Sequence, residues 1–512
     1  MSFKYGLVAG AASVIVDVLL KITLNTTFKP EIIAQAIISI TPASVSYTVI
    51  AYLGSASKYL ALLLGVVLLL CFYGLLGAAL SRINIPQQRR LIRIVTSIIL
   101  AYCTTLGLTF FLYYSIVEVG VLQEPYSYIL HYIPSGIVFG LLFGASSLDQ
   151  HRMRMAPADT DRRLLLKRLI FGIPVVAAIL SSLIYLTSFK SNEKVPKSQT
   201  GEIKSLTDHE LTPTQLFFTV SVDVVSPVLD VEKWMLKVGG LVTKPLQLRL
   251  EDIKAMRQVE EYATLECVSN PIGGDLISTA HWRGVTLRSI LEKAEIKGEA
   301  KYVVFRCFDG YSVGIPLQVA LDEGTILAYD MNNQPLTPDH GYPLRLVTPK
   351  YYGMMNPKWI TEIEVVDDIY LGFWQRLGWA NEAEYHTHST IVVPGSSPLR
   401  RRFGLPPRSQ EIKLGDKVQI SGVAFAGDRG ISKVEVSLDG GSTWLPANIK
   451  KPLSKFTWVI WWLDWEASAL GAYMIKVRAT DGYGNLQAED LSEPFPKGAT
   501  GYHTIVFHVE TT

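Results

Sequence analysis

Cysteine is scarce in this chain: four in 512 residues, with no two spaced C-x-x-C. That excludes the usual ligand pattern of a zinc or iron–sulfur site, and no C-x-x-C-H run offers a covalent haem attachment. Charge is thin as well. Asp, Glu, Lys and Arg make up 18% of the residues, against ~25% in ordinary soluble domains. The net charge is +2. The basic triplet Arg400–Arg402 therefore stands without a basic surface or binding motif around it, and no nucleic-acid partner is expected. No internal repeat divides the chain.

The missing charge is concentrated at one end. The first ~190 residues hold nearly all the long apolar runs, a membrane region joined to a soluble one. Four runs reach the roughly 20 residues that cross a bilayer: residues 59–80, 94–117, 127–148 and 169–189. A fifth, residues 5–24, carries Asp17 and Lys21 four apart, placed to pair on one helix face. No small-residue cleavage site follows it, so it reads as a span rather than a signal peptide. Residues 32–53 are free of charge but interrupted by Pro42, and read as interfacial or re-entrant. The loop 81–93 holds Arg82, Arg89, Arg90 and Arg93; 149–168 holds Arg152, Arg154, Arg162, Arg163, Lys167 and Arg168; 118–126 holds Glu118 and Glu124 and no base. Basic loops stay cytoplasmic. Five spans with a cytoplasmic N-terminus satisfy all three loops and put everything after Phe189 outside the cytoplasm. The stretch from Asp161 to Lys167, DRRLLLK, fits a positive-inside anchor and equally a twin-arginine export signal, and the two are compatible. Of the four strongest spans only 127–148 contains a histidine, His131. A transmembrane haem usually takes a pair, so His131 reads as structural or partner-facing.

Residues 190–213 are polar and read as a linker. From Leu216 short β-like runs alternate with Gly, Pro and Asp turns, at 234–238, 302–308 and 344–347, with short helices between them, notably 287–294. This is an α+β domain over 214–393. A Pro- and Arg-rich connector, 394–409, leads to an all-β region, 410–512. Its strand candidates at 418–424, 432–438, 458–463 and 472–480, with the hairpin turn Asp439-Gly440-Gly441, have the spacing of an immunoglobulin-like sandwich.

Cys71 and Cys103 lie in membrane spans and read as packing residues. Cys267 and Cys307 are the two in the exported part. Three readings stand open for them. They form a disulfide in an oxidising compartment, or they are inert core thiols, or Cys267 is a metal ligand. Cys267 ends an apolar strand before a turn-rich, glycine-containing loop, a setting in which a thiolate can bind a soft metal. His386 and His388 alternate on a strand-like segment, but two residues make a weak metal site.

Residues ~214–510 resemble the sulfite-oxidase family of molybdopterin enzymes, nearest its membrane-anchored prokaryotic branch. Separated motifs agree in order. The first is LECVSNPIGGDLI around Cys267, followed by HWRGVTLRSIL. Next come Gly310-Tyr311 through Ile315-Pro316-Leu317 to LAYDMNNQPLTPDHGYPLRLVTP, then YYGMMNPKWITEIEV. Last come GVAFAGDRGISKVEVSLDGGSTW and TDGYGNLQ. The resemblance implies an oxo-molybdenum centre held by a pyranopterin dithiolene and one protein thiolate, with Cys267 in that role and Cys307 a buried strand thiol. It implies pterin anchors at His340, Arg345 and Lys358, residue types that suit the cofactor's phosphate, and backbone near Gly353 and Asn356 lining the pterin. It makes Tyr329 an active-site tyrosine that donates a hydrogen bond or relays a proton. It makes Arg429 an arginine that reaches an oxyanion in the substrate pocket.

Two departures matter. Asn270-Pro271-Ile272 stand where the family carries an arginine after the cysteine, and residues 217–223 stand where it carries Arg-Asn-His. Two anion-binding positions are missing, which sets sulfite against a neutral sulfoxide, the substrate class of a periplasmic methionine-sulfoxide reductase in the same family. The expected architecture is an α-helical transmembrane bundle (1–189), an α+β sulfite-oxidase-type molybdopterin domain and a C-terminal immunoglobulin-like β-sandwich. The expected function is a membrane-anchored, extracytoplasmic molybdopterin oxidoreductase of two-electron oxo transfer. It would pass electrons to a separate quinone or cytochrome carrier, hold no haem or flavin of its own, and make homodimer contacts through the sandwich. The alternatives are a sulfoxide reductase of the same family and a non-catalytic cell-surface binding module.

Overall fold

The computed structural model describes residues 2–24, 28–42, 56–82, 90–117, 133–152, 210–222, 226–395, 397–403 and 412–511, with isolated positions besides. The helices of the first 152 residues form one compact unit, and the strands from Leu236 onward belong to a second.

In the first unit the uninterrupted apolar runs become helices: α1 (Ser2–Leu24), α2 (Lys29–Ile40), α3 (Ala56–Leu80), α4 (Arg90–Val117) and α5 (Ile133–Arg152). The α2 helix stops at Ile40, with Thr41 as its cap and Pro42 next, whose ring cannot continue it. Two stretches, Phe3–Lys21 and Tyr59–Leu80, are long and apolar enough to cross a membrane; Ile94–Gly107 and Ile133–Phe143 are shorter. The 169–189 run (isolated positions aside), the 161–167 motif, His131 and most of the 190–213 linker lie outside the described residues. Cys71 and Cys103, expected to pack, are exposed.

The expected Asp17–Lys21 pair does not form. Asp17 is 3% exposed, and its carboxylate lies 3.2 Å from Lys29 of α2, while Lys21 pairs with Glu31 at 3.5 Å. Both α1 and α2 pack on α3, so the α2 charges become available to α1. The Lys29 ammonium also donates to the hydroxyls of Tyr73 and Ser135. A buried ion pair is tolerable only with such extra hydrogen bonds.

The second unit begins with ten strands: β1 (Leu236–Gly240), β2 (Leu246–Leu248), β3 (Val259–Glu266), β4 (Ile277–Thr286), β5 (Tyr302–Cys307), β6 (Ser312–Pro316), β7 (Ile326–Met331), β8 (Gln334–Pro335), β9 (Arg345–Val347) and β10 (Ile360–Val366). They make two sheets. One has the order β2-β1-β10-β5-β6, with β1 and β10 parallel; the other runs β3-β4-β7-β8, with β9 also paired to β7. The helix Leu287–Ala294 follows β4. Its start is capped by Thr286, which accepts from the Ser289 amide, and it buries Leu287, Ile290, Leu291 and Ala294, one face at helical spacing.

The β-rich C-terminal part comprises β11 (His388–Val393), β12 (Ile412–Lys413), β13 (Lys417–Phe425), β14 (Ile431–Ser437), β15 (Leu445–Pro446), β16 (Asn448–Ile449), β17 (Val459–Glu466), β18 (Gly471–Asp481) and β19 (His503–Glu510). Its sheets run β11-β13-β17-β16 and β12-β19-β18-β14-β15. They share one core, with Ile391, Ile420 and Trp461 from the first meeting Val434, Ile475 and Val477 from the second. This moves one expected boundary. β11 was assigned to the domain ending at 393, yet it pairs with β13, His388 opposite Phe425. Arg400, the first of the basic triplet, is buried and donates to the Val392 carbonyl at 3.2 Å, which makes it a clip rather than a basic surface.

Candidate active site

The place of Cys267 follows from the alternation of β3. Ala263, Leu265 and Cys267 fall on one face, buried with Ala280, Trp282 and Ala328, whereas Thr264 and Glu266 face the other way. β3 pairs with β4 from Val259–Gly284 to Glu266–Ile277, and the chain then leaves the sheet. The Cys267 amide donates to the Leu276 carbonyl at 2.9 Å, and its sulfur lies 3.0 Å from the Ser269 hydroxyl. Neither Cys267 nor Cys307 is in a disulfide, so that reading falls. Burial pushes the Cys267 thiol up, with the Ser269 hydrogen bond opposing. A thiol raised in this way gives up its proton when a metal replaces it.

Gly353 presses against this cysteine: a Cβ there would lie 3.2 Å from the Glu266 carbonyl and 3.7 Å from Cys267 Cα. Tyr311, Tyr352 and Tyr385 are buried beside the thiol and interact with it electrostatically; burial holds all three phenols well above their ordinary range. The Tyr311 hydroxyl donates to the Met354 carbonyl at 2.6 Å.

Tyr329 is not in this group. It lies on β7 between the pairs Arg283–Asp330 and Gly284–Ala328, whereas Cys267 leaves the sheet beyond Glu266–Ile277. About six residues of strand separate the two levels, roughly 20 Å at ~3.4 Å each. Its hydroxyl is buried without a partner, and the Lys254 ammonium sits 5.3 Å from its ring. The tyrosines grouped with the thiol are instead Tyr311, Tyr352 and Tyr385.

His340, Arg345 and Lys358 do come together, around Gly341. That glycine has φ +104°, and a Cβ on it would lie 2.9 Å from Lys358 Cβ and 3.1 Å from Arg345 Cβ, so no other residue fits. His340 Nε2–H donates to the Thr214 carbonyl at 2.9 Å, and burial pushes its imidazole down to about 4, leaving it neutral. The Lys358 ammonium donates to the Asp339 carbonyl at 3.0 Å. Arg345 is 5% exposed; its Nη1 donates to the His340 carbonyl at 3.1 Å, and its guanidinium lies 4.9 Å from the Trp282 ring. Its Nε has no partner, no carboxylate opposes it among the described residues, and burial pushes it down to about 9. A buried cation without a counter-ion is costly until an anion completes it. A phosphate-bearing cofactor fits that vacant role. The two clusters share Trp282, whose ring lies 4.9 Å from the Arg345 guanidinium and packs in the same core as Cys267.

Two expected residues are already committed elsewhere. Asn356 accepts from the Thr348 amide at 2.7 Å and donates to the Tyr351 and Tyr352 carbonyls at 3.1 Å, so its side chain shapes its own loop and leaves only its backbone for the expected pterin contact. Arg429 donates from Nε to Asp481 at 2.9 Å, and from Nη2 to the Tyr385 carbonyl at 2.8 Å and the Thr387 hydroxyl at 3.3 Å. Its charge is matched within the chain, and it buttresses Tyr385 instead of offering a free guanidinium.

His386 and His388 join no cluster of three metal-ligating groups among the described residues. His388 Nδ1 instead lies 3.4 Å from Glu266 Oε2. The distance is that of an ion pair, but burial pushes Glu266 up to about 8 and His388 down to about 4. Between those values both are neutral, and no ion pair forms. Glu266 was passed over in the sequence. The signal was a carboxylate directly before the cysteine, in an otherwise apolar strand end.

A family model described as "Oxidoreductase molybdopterin binding domain" matches residues 223–374, and one described as "Mo-co oxidoreductase dimerisation domain" matches 404–499. Mitochondrial sulfite oxidase of Macaca fascicularis is 31% identical over 54% of this chain and 57% of its own length, so this chain spans little more than half of that relative. A Bacillus subtilis protein named "Uncharacterized oxidoreductase YuiH" is 39% identical over 29% of this chain and 74% of its own length. The crystal structure of the sulfane dehydrogenase SoxCD from Paracoccus pantotrophus shares the fold, with a TM-score of 0.50 and 24% identity over 59% of this chain and 84% of that one. With its cofactor thereby given as molybdenum-molybdopterin, this chain belongs to the sulfite-oxidase family of molybdenum-dependent oxidoreductases.

Proposed function

We propose that this protein is a membrane-anchored, extracytoplasmic molybdopterin oxidoreductase that carries out two-electron oxo transfer on a small sulfur substrate. The observation that carries the reading is the buried Arg345 guanidinium, without a carboxylate opposite it among the described residues, lying on the ring of Trp282, which packs in the same core as the buried Cys267 thiol. When bound, the cofactor supplies a metal that changes by two electrons and exchanges an oxygen atom with the substrate. The chain's own residues do the rest. Cys267 offers its thiolate to the metal. Arg345 and Lys358 hold the pterin phosphate with charge, and His340 supports them as a neutral imidazole. Gly353 lets the backbone come in against the cysteine. Tyr311, whose phenol donates to the Met354 carbonyl, pins the loop that carries Gly353 against the cysteine. Tyr352 and Tyr385 exclude water behind it.

Sulfite or another small sulfur oxyanion is the first substrate reading, with electrons leaving to a separate quinone or cytochrome. One observation favours a second, a neutral sulfoxide of the methionine-sulfoxide type, reduced rather than oxidised. The arginine assigned to the substrate is neutralised by Asp481, and Asn270 stands where a second cation would be. The apolar helices support anchoring in lipid as a five-span bundle with the N-terminus inside. The two C-terminal sheets support an immunoglobulin-like module for homodimer contacts.

The test is elemental analysis of the full chain beside Cys267→Ser, grown with molybdate, followed by assays with sulfite and with methionine sulfoxide in both directions. We expect about one molybdenum per wild-type chain and an altered metal spectrum in the variant. Well-folded wild-type protein without molybdenum would sink the enzyme reading and leave a binding module.

A further inference from the structure

We propose that Glu266 and Asn270 are positioning residues, which lock the turn 267–276 so that the Cys267 sulfur meets the metal in one place. The inference rests on the reading of Cys267 as the metal's ligand and goes beyond it, because neither residue touches the sulfur.

Glu266 is the last residue of β3 and 4% exposed. A carboxyl buried at a strand end is costly unless something uses its oxygens. Here Oε1 accepts from Asn270 Nδ2 at 2.8 Å. The other end of the same amide, Asn270 Oδ1, accepts from the Leu276 amide at 2.9 Å. The Leu276 carbonyl in turn accepts from the Cys267 amide at 2.9 Å, and the Asn270 amide donates to the Cys267 carbonyl at 3.0 Å. Asn270 therefore crosses the base of the turn with both ends of its side chain occupied, and both main-chain groups of Cys267 are held inside the ring this closes. The Glu266 amide donates to the Tyr385 hydroxyl at 3.4 Å. Its second oxygen, Oε2, faces His388 Nδ1 at 3.4 Å outside hydrogen-bond geometry and has no other partner, so the whole grip of the carboxyl on the turn runs through Oε1.

A turn leaving a sheet opens locally at low free energy when nothing ties it. A metal ligand tolerates displacement of only about 0.5 Å from the productive geometry. The Glu266–Asn270 clip reconciles the two. It acts from the face opposite the sulfur, as expected of a residue that orients a ligand without touching the metal.

The experiment uses the full chain with Glu266→Ala, Asn270→Ala, the double variant, Glu266→Gln and Asn270→Asp. In cofactor-free protein the rate of Cys267 alkylation is followed by peptide mass spectrometry, with buried Cys307 as the internal control. Both alanine variants should raise the Cys267 rate about tenfold or more while Cys307 is unchanged, and the double variant should do little more than either single one. Glu266→Gln keeps an oxygen for Asn270 to donate to and should stay within about twofold of wild type. Asn270→Asp is nearly isosteric and still accepts from Leu276 but sets a second carboxyl against Glu266; read at about pH 9, where the two repel as carboxylates, it should behave like the alanine variants, and it decides the matter if those fail to fold. In loaded protein the alanine variants should split the pentavalent-molybdenum EPR signal into more than one species. They should lower kcat roughly 10–100-fold with little change in KM, and Glu266→Gln should restore both. Wild-type alkylation and an undivided signal in Glu266→Ala and Asn270→Asp would overturn the proposal, and so would Glu266→Gln behaving like Glu266→Ala. A wild-type X-ray absorption spectrum with no cysteine sulfur on molybdenum would instead overturn the reading of Cys267, whatever the variants do.

Discussion

Replacing Arg345 by methionine should stabilise the cofactor-free protein and abolish its hold on the cofactor, two effects of opposite sign. The guanidinium is 5% exposed, no carboxylate faces it among the described residues, and burial lowers it to about 9. Against the ordinary ~12.5 of arginine, at ~1.4 kcal/mol per decade, the buried charge costs ~5 kcal/mol. The Trp282 ring at 4.9 Å and the His340 carbonyl at 3.1 Å return part of it. Those contacts are worth ~2 kcal/mol for the ring and ~1 kcal/mol for the hydrogen bond, which leaves ~2 kcal/mol uncompensated. A depressed base destabilises the fold wherever folded and unfolded chains both carry the charge, below about pH 9 here, and the penalty fades as pH rises beyond that. At pH 7 it is felt in full. Methionine has similar reach and no charge, so the cofactor-free variant should unfold ~4 °C above wild type. The assay is calorimetry on protein purified from cells unable to make molybdopterin, beside molybdenum analysis of the same pair from cells that can. There the variant's metal content should fall about tenfold or more. A cofactor-free variant that unfolds several degrees below wild type would refute the reasoning. The guanidinium would then be compensated by its own neighbours and would say nothing of a missing anion.

Three other outcomes follow. Lys29→Met alone leaves Asp17 buried and unmatched and should cost ~3–5 kcal/mol in detergent unfolding, most of it recovered by adding Asp17→Asn. His503 accepts from the Ile391 amide at 2.9 Å and is pushed down to about 4 by burial. The unfolded chain therefore binds the extra proton first, and stability is lost as pH falls from ~6.5 to about 4, by up to ~3 kcal/mol; denaturant unfolding of His503→Gln should show that part of the curve flattened. Asp481→Asn removes the charge that matches Arg429 and should lower KM for a small anion such as sulfite about fivefold, with no gain for a neutral sulfoxide.

Strand type was legible because it is local, and strand partners were not because they are distant. Cys267, read at the end of an apolar strand, does follow β3 directly, and the alternation Ala263, Leu265, Cys267 puts it on a covered face. The same alternation puts Glu260, Tyr262, Thr264 and Glu266 on the other face. It is exposed at Glu260 and covered by Glu266, because the C-terminal part lies over its far end, the Trp458 amide donating to Thr264 at 2.8 Å. Nothing near residue 266 announces that cover. β11 was read into the domain ending at 393 for the same reason, since its partner lies beyond the connector. Tyr329 and Tyr311 sit in motifs of equal weight, and sheet membership separates them: Tyr329 lies on β7 beside β4, whereas Tyr311 directly precedes β6 in the other sheet.

The treatment of the two assigned arginines carries the last step. Arg345 is buried with no carboxylate opposite it among the described residues, whereas Arg429, 17% exposed, is met by Asp481 at 2.9 Å. A buried cation left so is matched only by an anion from outside. The unmatched cation lies with His340 and Lys358, the cluster proposed to hold the pterin; the matched one is bound to the Tyr385 carbonyl. An enzyme that had to draw a doubly charged oxyanion into a partly buried pocket would keep the opposite arrangement. With Asn270 tied into the turn below Cys267 and Arg429 neutralised, the proposed reading leaves the Arg345 charge to the cofactor, and on that reading the substrate that costs least to desolvate is one that arrives without charge.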